Sequence, residues 1–143
     1  MIIPYTDENL PDIERMGRMM RDESPMWRDM PIDIQKGLRT AHCVFLHKSG
    51  GRVDGMIAGV ILTYWFNDVR MANNLIFFVE PDKRGSRAAM ELVLVYEKWA
   101  LGQGVKSRDI WLTQDSAIGT ANMASFCTRM GYENVGTNCR KVT

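Results

Sequence analysis

The chain has few of the residues that build metal centres or disulfide frameworks. Its three cysteines, Cys43, Cys127 and Cys139, are odd in number and widely spaced. Its only histidines are His42 and His47, and no metal-ligand spacing joins them to the cysteines. No metal site is expected. Reduced thiols in a cytoplasmic protein are the natural reading. An excess of either charge is also missing: 18 Lys and Arg face 17 Asp and Glu, for a formal net charge of +1. A broad basic surface for nucleic acid is thereby excluded, and any basic site must be local. The longest apolar segment, around Met56 to Phe66, falls well short of the ~20 residues of a membrane helix. The start, Met1 to Glu8, lacks the basic opening and long apolar run of a secretory signal. No repeat or low-complexity stretch is present. What remains is 143 residues of ordinary globular composition, the size of one domain, 1–143.

Hydrophobic periodicity divides this domain into elements. Ile2 and Ile3 open a short strand. Asp7 or Asn9 caps a helix with Pro11 in its first turn, and Leu10, Ile13, Met16, Gly17 and Met20 recur on one face. Ser24 to Pro31, with two prolines and an isolated Trp27, reads as a structured loop. A second, short helix covers Asp33 to Thr40. Strands follow at His42–His47, Gly55–Phe66 and Met71–Val79, separated by turn signals at Ser49-Gly50-Gly51 and Asn67-Asp68. They form an antiparallel meander. Ser86 to Leu101 is the strongest helix, with Ala89, Leu92, Val93, Tyr96, Trp99 and Ala100 as its apolar stripe and Gly102 and Gly104 at its end. A strand over Asp109–Gln114, a helix over Asn122–Met130 and a last strand over Tyr132–Val142 complete the order. The expected fold class is a mixed α/β (α+β) sheet, mostly antiparallel, with helices on its faces and one parallel crossover from Met71 to Gln114.

One junction stands out. The strand Phe77-Phe78-Val79 runs into Glu80-Pro81, then into the basic loop Asp82-Lys83-Arg84-Gly85-Ser86-Arg87, and then into the helix beginning Ala88-Ala89. Lys83, Arg84 and Arg87 crowd a helix start that is already positive through its dipole. A bound anion removes the conflict, and the unpaired N–H groups of a helix N-terminus can hold phosphate oxygens. Glu80 is expected to face solvent beside the turn.

These residues resemble a pattern of the GNAT acetyltransferase superfamily, most closely its short single-domain members. The family's strand ends in Val-x-Pro and is followed by Arg/Gln-x-x-Gly-x-Gly/Ala opening a helix. Val79-Glu80-Pro81 and Arg84-Gly85-Ser86-Arg87-Ala88-Ala89 fill those places. Glu97-Lys98-Trp99-Ala100, Asn122, Phe126 and Gly131-Tyr132 match its later features. Two positions depart: the family's second loop glycine is Arg87 here, and Cys127 stands where many relatives carry a thiolate-protonating tyrosine.

The resemblance implies acetyl transfer from acetyl-CoA to a primary amine of a small molecule or protein. By that resemblance Arg84, Gly85, Ser86, Arg87, Ala88, Ala89 and Asn122 bind coenzyme A, together with Phe77, Phe78 and Val79, whose backbone pairs with the pantetheine arm like an added strand. A backbone N–H near Val79 polarises the thioester carbonyl. Cys127 is the candidate acid, since a thiol of pKa about 8.5 is protonated at neutral pH; a small buried core residue is the other reading. Tyr132 and Tyr64 are substitutes. Asp115 is the candidate base through water, or else a turn residue. Asn73 and Asn74 can order water but take no proton. Trp27 and Tyr64 are candidates for the acceptor side. A single His42 or His47 on a strand reads as structural. Little chain follows the last strand, so an open sheet edge and a homodimer are expected. A catalytically inactive acyl-CoA-binding module acting through a protein partner is the alternative from another functional class.

Overall fold

The computed structural model describes residues 1–25, 27–110, 120–136 and 141, the side chains of 120–122 excepted. Five strands form one sheet in the order β1-β2-β3-β4-β5. They are β1 (Ile2–Pro4), β2 (Cys43–Ser49), β3 (Arg52–Thr63), β4 (Arg70–Val79) and β5 (Ser107–Asp109). The first four are antiparallel to their neighbours, and β5 lies parallel to β4. The helices are α1 (Leu10–Glu23), α2 (Ile34–Thr40), α3 (Ala88–Gly102) and α4 (Thr120–Arg129). The expected mixed, mostly antiparallel sheet with helices on both faces is therefore present. No described helix is long and apolar enough to cross a membrane.

Two apolar layers sandwich the sheet. On one face α3 buries Ala88, Leu92, Val93, Tyr96 and Ala100, against Ile57, Ala72 and Val79 of the strands. On the other, Ile13 and Met16 of α1 pack with Leu46, Met56 and Phe78, joined by Ile34 and Leu38 of α2. Each fully buried Leu, Ile, Val, Met or Phe among them contributes about 1.5–3 kcal/mol of transfer free energy. Gly59 lets α3 come close: a Cβ there would stand 2.9 Å from both the Tyr96 and Trp99 rings.

The expected boundaries shift, and β5 spans Ser107–Asp109 where a strand is expected from Asp109. Strand β3 stops at Thr63, because Tyr64 and its successors turn into an exposed hairpin tip where Trp65 is 93% exposed. Helix α3 starts at Ala88, two residues later than the periodicity suggests, because Arg87 takes the cap position and the Ser86 hydroxyl accepts the Ala88 N–H at 3.2 Å. Among the described residues none after α4 forms a strand, although a strand is expected from Tyr132. The expected strand residues 111–114 and 137–140 lie outside the described residues.

Candidate active site

The register between β3 and β4 decides which backbone groups are open. The Glu80 N–H donates to the Asp54 carbonyl at 2.9 Å, and the pairs Gly55/Val79, Met56/Phe78, Ile57/Phe77 and Ala58/Ile76 follow. Antiparallel pairs alternate between hydrogen-bonded and open. The backbone groups of Phe78 and Ile76 therefore turn toward β3, and those of Phe77 and Val79 turn toward β5. On that side β5 meets β4 only at Met71, Ala72 and Asn73 among the described residues. The described ladder between the two strands ends at the Asn73/Asp109 pair. Just past it β4 carries an extra residue, Leu75, between the pairs Ala58/Ile76 and Gly59/Asn74. This bulge bends the strand away.

Past Val79 the chain makes a tight turn at Pro81–Lys83 and enters the basic loop. Gly85 holds φ +84, a left-handed conformation that side chains rarely adopt. Ser86 N–H donates to the Lys83 carbonyl at 3.2 Å, and Ala88 N–H is capped by Ser86. Among the described residues, the N–H groups of Gly85, Arg87, Ala89 and Met90 have no acceptor; the first helical bond, Glu91 N–H to Arg87 carbonyl, comes only after them. Gly85, Ser86 and Arg87 are exposed, and the Arg87 and Lys83 side chains make no ion pair with described residues. The loop therefore offers open donors and unpaired positive charge together.

Arg84 is tied into the protein by contacts that its sequence position does not suggest. Its guanidinium grips both carboxylate oxygens of Glu23, at 2.7 and 2.8 Å, with Nε donating to the Val79 carbonyl at 2.9 Å. It also lies 5.4 Å over the Phe78 ring. Arg84 is a clasp between the end of α1, the end of β4 and the loop, and its charge is already matched. Replacing it with alanine is expected to lower stability by about 1–3 kcal/mol, because Glu23 is left partly buried and unpaired. Urea denaturation measures this, and a change below about 0.5 kcal/mol would show that the clasp is only a surface contact.

Glu80 corrects the sequence expectation outright. It is 2% exposed, not solvent-facing. Arg15 of α1 and Arg52 of β3 both bond its carboxylate, the latter at 2.9 Å, and Arg15 also donates to the Val53 carbonyl at 2.8 Å. The far side of the loop is braced too. Glu91, in the first turn of α3, lies 3.3 Å from His47 Nε2, and His47 Nδ1 is 2.5 Å from the buried Asp54. His47 is structural, as expected, and so is His42, whose Nδ1 accepts the Ile61 N–H at 2.9 Å. Three ionic groups thus fix the corner where strand, loop and helix meet.

The other candidates are scattered. Trp27 is half-buried in the α1–α2 segment, with its N–H on the Ser24 carbonyl at 3.1 Å, a few residues beyond the Glu23 clasp. Tyr64 stacks on Phe66 at the hairpin tip, at the opposite end of β4 from the loop and roughly 30 Å along the strand. Cys127 is buried on α4, and burial pushes its thiol pKa up. Burial, then the Glu97 carboxylate, also holds the Tyr132 hydroxyl protonated. Asp115 and the side chain of Asn122 lie outside the described residues. Among the described residues no His/Cys/Asp/Glu group is arranged to hold a metal.

Solved structures share this fold. The aminoglycoside N-acetyltransferase AAC(6')-Iy in complex with CoA superposes with a TM-score of 0.75 at 13% identity, over 100% of this chain and 98% of that one. The chain has the GNAT acetyltransferase fold. A Pyrococcus furiosus protein described as an acetyl transferase matches at a TM-score of 0.72 and 17% identity, over 100% and 99% of the two chains. A protein of Bacillus halodurans described as a transcriptional regulator matches at 0.75 and 13%, over 100% and 99%. At these identities the likeness speaks for the fold alone. No family model matches the sequence, and the search of curated proteins gives no match either. The end of β4 and the open helix start occupy one corner, so the residues Phe77, Val79 and Gly85 to Ala89 come together there. Cys127 and Tyr64 are not joined to that corner by any hydrogen bond among the described residues.

Proposed function

We propose that the protein transfers an acetyl group from acetyl-CoA to a primary amine of a small molecule or a protein, in a ternary complex. The observation that carries this reading is the set of N–H groups of Gly85, Arg87, Ala89 and Met90, open among the described residues, beside the edge of Phe77 and Val79, which no described strand pairs. A diphosphate fits the first group, and an extended amide-containing arm fits the second. Acetyl-CoA carries both, and its thioester supplies the acetyl group. The CoA bound to AAC(6')-Iy, and the sisomicin bound to another matched aminoglycoside acetyltransferase, support an acyl-CoA donor and an amine acceptor.

In this reading Arg87 and Lys83 draw the diphosphate in, and the loop amides hold it. Phe77 offers its N–H and carbonyl to the arm. Val79 offers its N–H, its carbonyl being engaged by Arg84. The clasp and the Glu80 brace keep these groups in place, so little ordering is left to do on binding. Juxtaposing amine and thioester then removes much of the barrier through proximity. Trp27, close in sequence to the Glu23 clasp, is proposed on the acceptor side.

Isothermal titration with coenzyme A, followed by a thiol-release assay over a panel of primary amines, tests the proposal. Binding together with turnover supports it. Binding without turnover on any amine favours the non-catalytic acyl-CoA module, and absence of binding rejects both. The acid is tested separately. Burial raises the Cys127 pKa, so the thiol keeps its proton through neutral and mildly alkaline pH and loses it only above its ordinary range. If Cys127 protonates the leaving thiolate, Cys127→Ala should lower kcat about 100-fold or more with KM for acetyl-CoA unchanged. Full turnover by the variant at every pH would remove Cys127 from the mechanism.

A further inference from the structure

Polar groups without partners gather on one face of the paired strands β4 and β5. Arg108 reaches toward Glu97 of α3, at 3.9 Å, so its neighbours Ser107 and Asp109 point to the opposite face of the sheet. Ala72 packs in the α3 layer, so Asn73 also points away from it. Asn73 pairs with Asp109 and Met71 with Ser107, which sets Asn73, Ser107 and Asp109 side by side on the face of α1 and α2. The Asn73 Oδ1 and Ser107 Oγ atoms are buried and have no hydrogen-bond partner. The half-buried Asp109 carboxylate has no ion pair or side-chain hydrogen bond among the described residues. On the α3 side the strand end is fixed, because the Tyr96 hydroxyl donates to the Asp109 carbonyl at 2.9 Å.

Buried polar atoms in native proteins are nearly always satisfied, and an orphan asks for a ligand, a water or an ion. Asn73 Oδ1 and the Asp109 carboxylate are both acceptors, so the missing partner is a donor. They sit on neighbouring strands about 4.8 Å apart. One nitrogen placed about 2.9 Å from each acceptor spans that gap. The pair is also the last of the described β4–β5 ladder, next to the bulge at Leu75. A primary ammonium satisfies both acceptors and the negative charge at once.

We infer that Asn73 and Asp109 form the subsite for the acceptor ammonium, with Asp109 taking its first proton. This rests on the acetyl-transfer reading above and places a residue on its acceptor side. The step balances as follows. One N–H proton of the ammonium passes to an Asp109 oxygen, directly or through one water. The freed lone pair attacks the thioester carbon, forming the C–N bond. The C–S bond breaks, its electron pair leaves on sulfur, and a second N–H proton ends on that sulfur as the thiol. Asp109 then returns its proton to bulk water. Burial raises the Asp109 pKa, which brings the carboxyl closer to the ammonium it serves. Asn73 is a positioning residue for the nitrogen.

The test is a titration of the protein with n-butylammonium chloride, read by NMR at the Asn73 side-chain amide and the Asp109 carboxyl carbon. Tetramethylammonium chloride, a cation with no N–H, is the control. Both signals should shift with n-butylammonium and neither with the control. Asp109→Asn should weaken n-butylammonium at least tenfold and leave coenzyme A affinity unchanged. With any amine that turns over, Asp109→Asn should also lower kcat about 100-fold while KM for acetyl-CoA holds. If Asp109→Asn does not fold, Asn73→Leu reads the same loss of ammonium binding in a protein freed of one orphan acceptor. Unmoved signals, or variants that bind n-butylammonium as the wild type does, overturn the inference. The titration is run with and without coenzyme A. Failure of coenzyme A to bind would therefore count against the acetyl-transfer reading and leave the ammonium result legible.

Discussion

Replacing Glu80 with alanine should destabilise the protein by about 3 kcal/mol. The carboxylate is 2% exposed and shared between Arg15 and Arg52. Removing it leaves the Arg15 guanidinium, 29% exposed, without its main partner. Breaking a buried pair from one side costs about 3–5 kcal/mol, and the lower figure fits because Arg52 can return to water. The effect should also reach function, since Glu80 follows Val79 directly and anchors the turn into the loop. Urea denaturation gives the stability. A loss below about 1 kcal/mol would mean that Arg15 is held well enough by the Val53 carbonyl at 2.8 Å and the Asp12 carboxylate at 3.3 Å.

Arg87→Glu should do the opposite: leave the fold intact and remove the ligand. Arg87 is the exposed cap residue of α3. An acid there suits the positive end of the helix dipole and should add about 0.3–1 kcal/mol of stability. If the open amides receive a diphosphate, the same change sets a negative charge against it. Coenzyme A affinity should fall about 10–100-fold, or roughly 1.4–2.8 kcal/mol. The loss should shrink as salt rises, because the site is exposed and screened. A more stable variant that binds coenzyme A as tightly as the wild type would place the diphosphate elsewhere.

Much of this corner is legible in the sequence because its signals are local. A β-branched and aromatic strand, a proline turn, a glycine and an apolar stripe at helical spacing each act within a few residues. Together they mark the strand, loop and helix from Phe77 to Ala100 with only a two-residue error at the helix start. What the pattern hides is long-range pairing. Arg84 looks like a phosphate ligand until Glu23, 61 positions away, is seen to hold it. Glu80 looks solvated until Arg15, 65 positions away, reaches it. The extra residue at Leu75 has no compositional mark, since a bulge is a property of two strands in register. The neighbourhood of Asp109 is hidden for a related reason. The sequence pattern starts a strand there, but nothing local says which β4 residue stands beside it; only the register pairs it with Asn73.

The central claim is that the start of α3 is an open diphosphate site. Backbone amide NMR of the protein titrated with coenzyme A tests it most directly. The largest shifts should fall on Gly85, Arg87, Ala89 and Met90, with a second group at Phe77 and Val79. Saturating coenzyme A that leaves those amides unmoved would contradict the account.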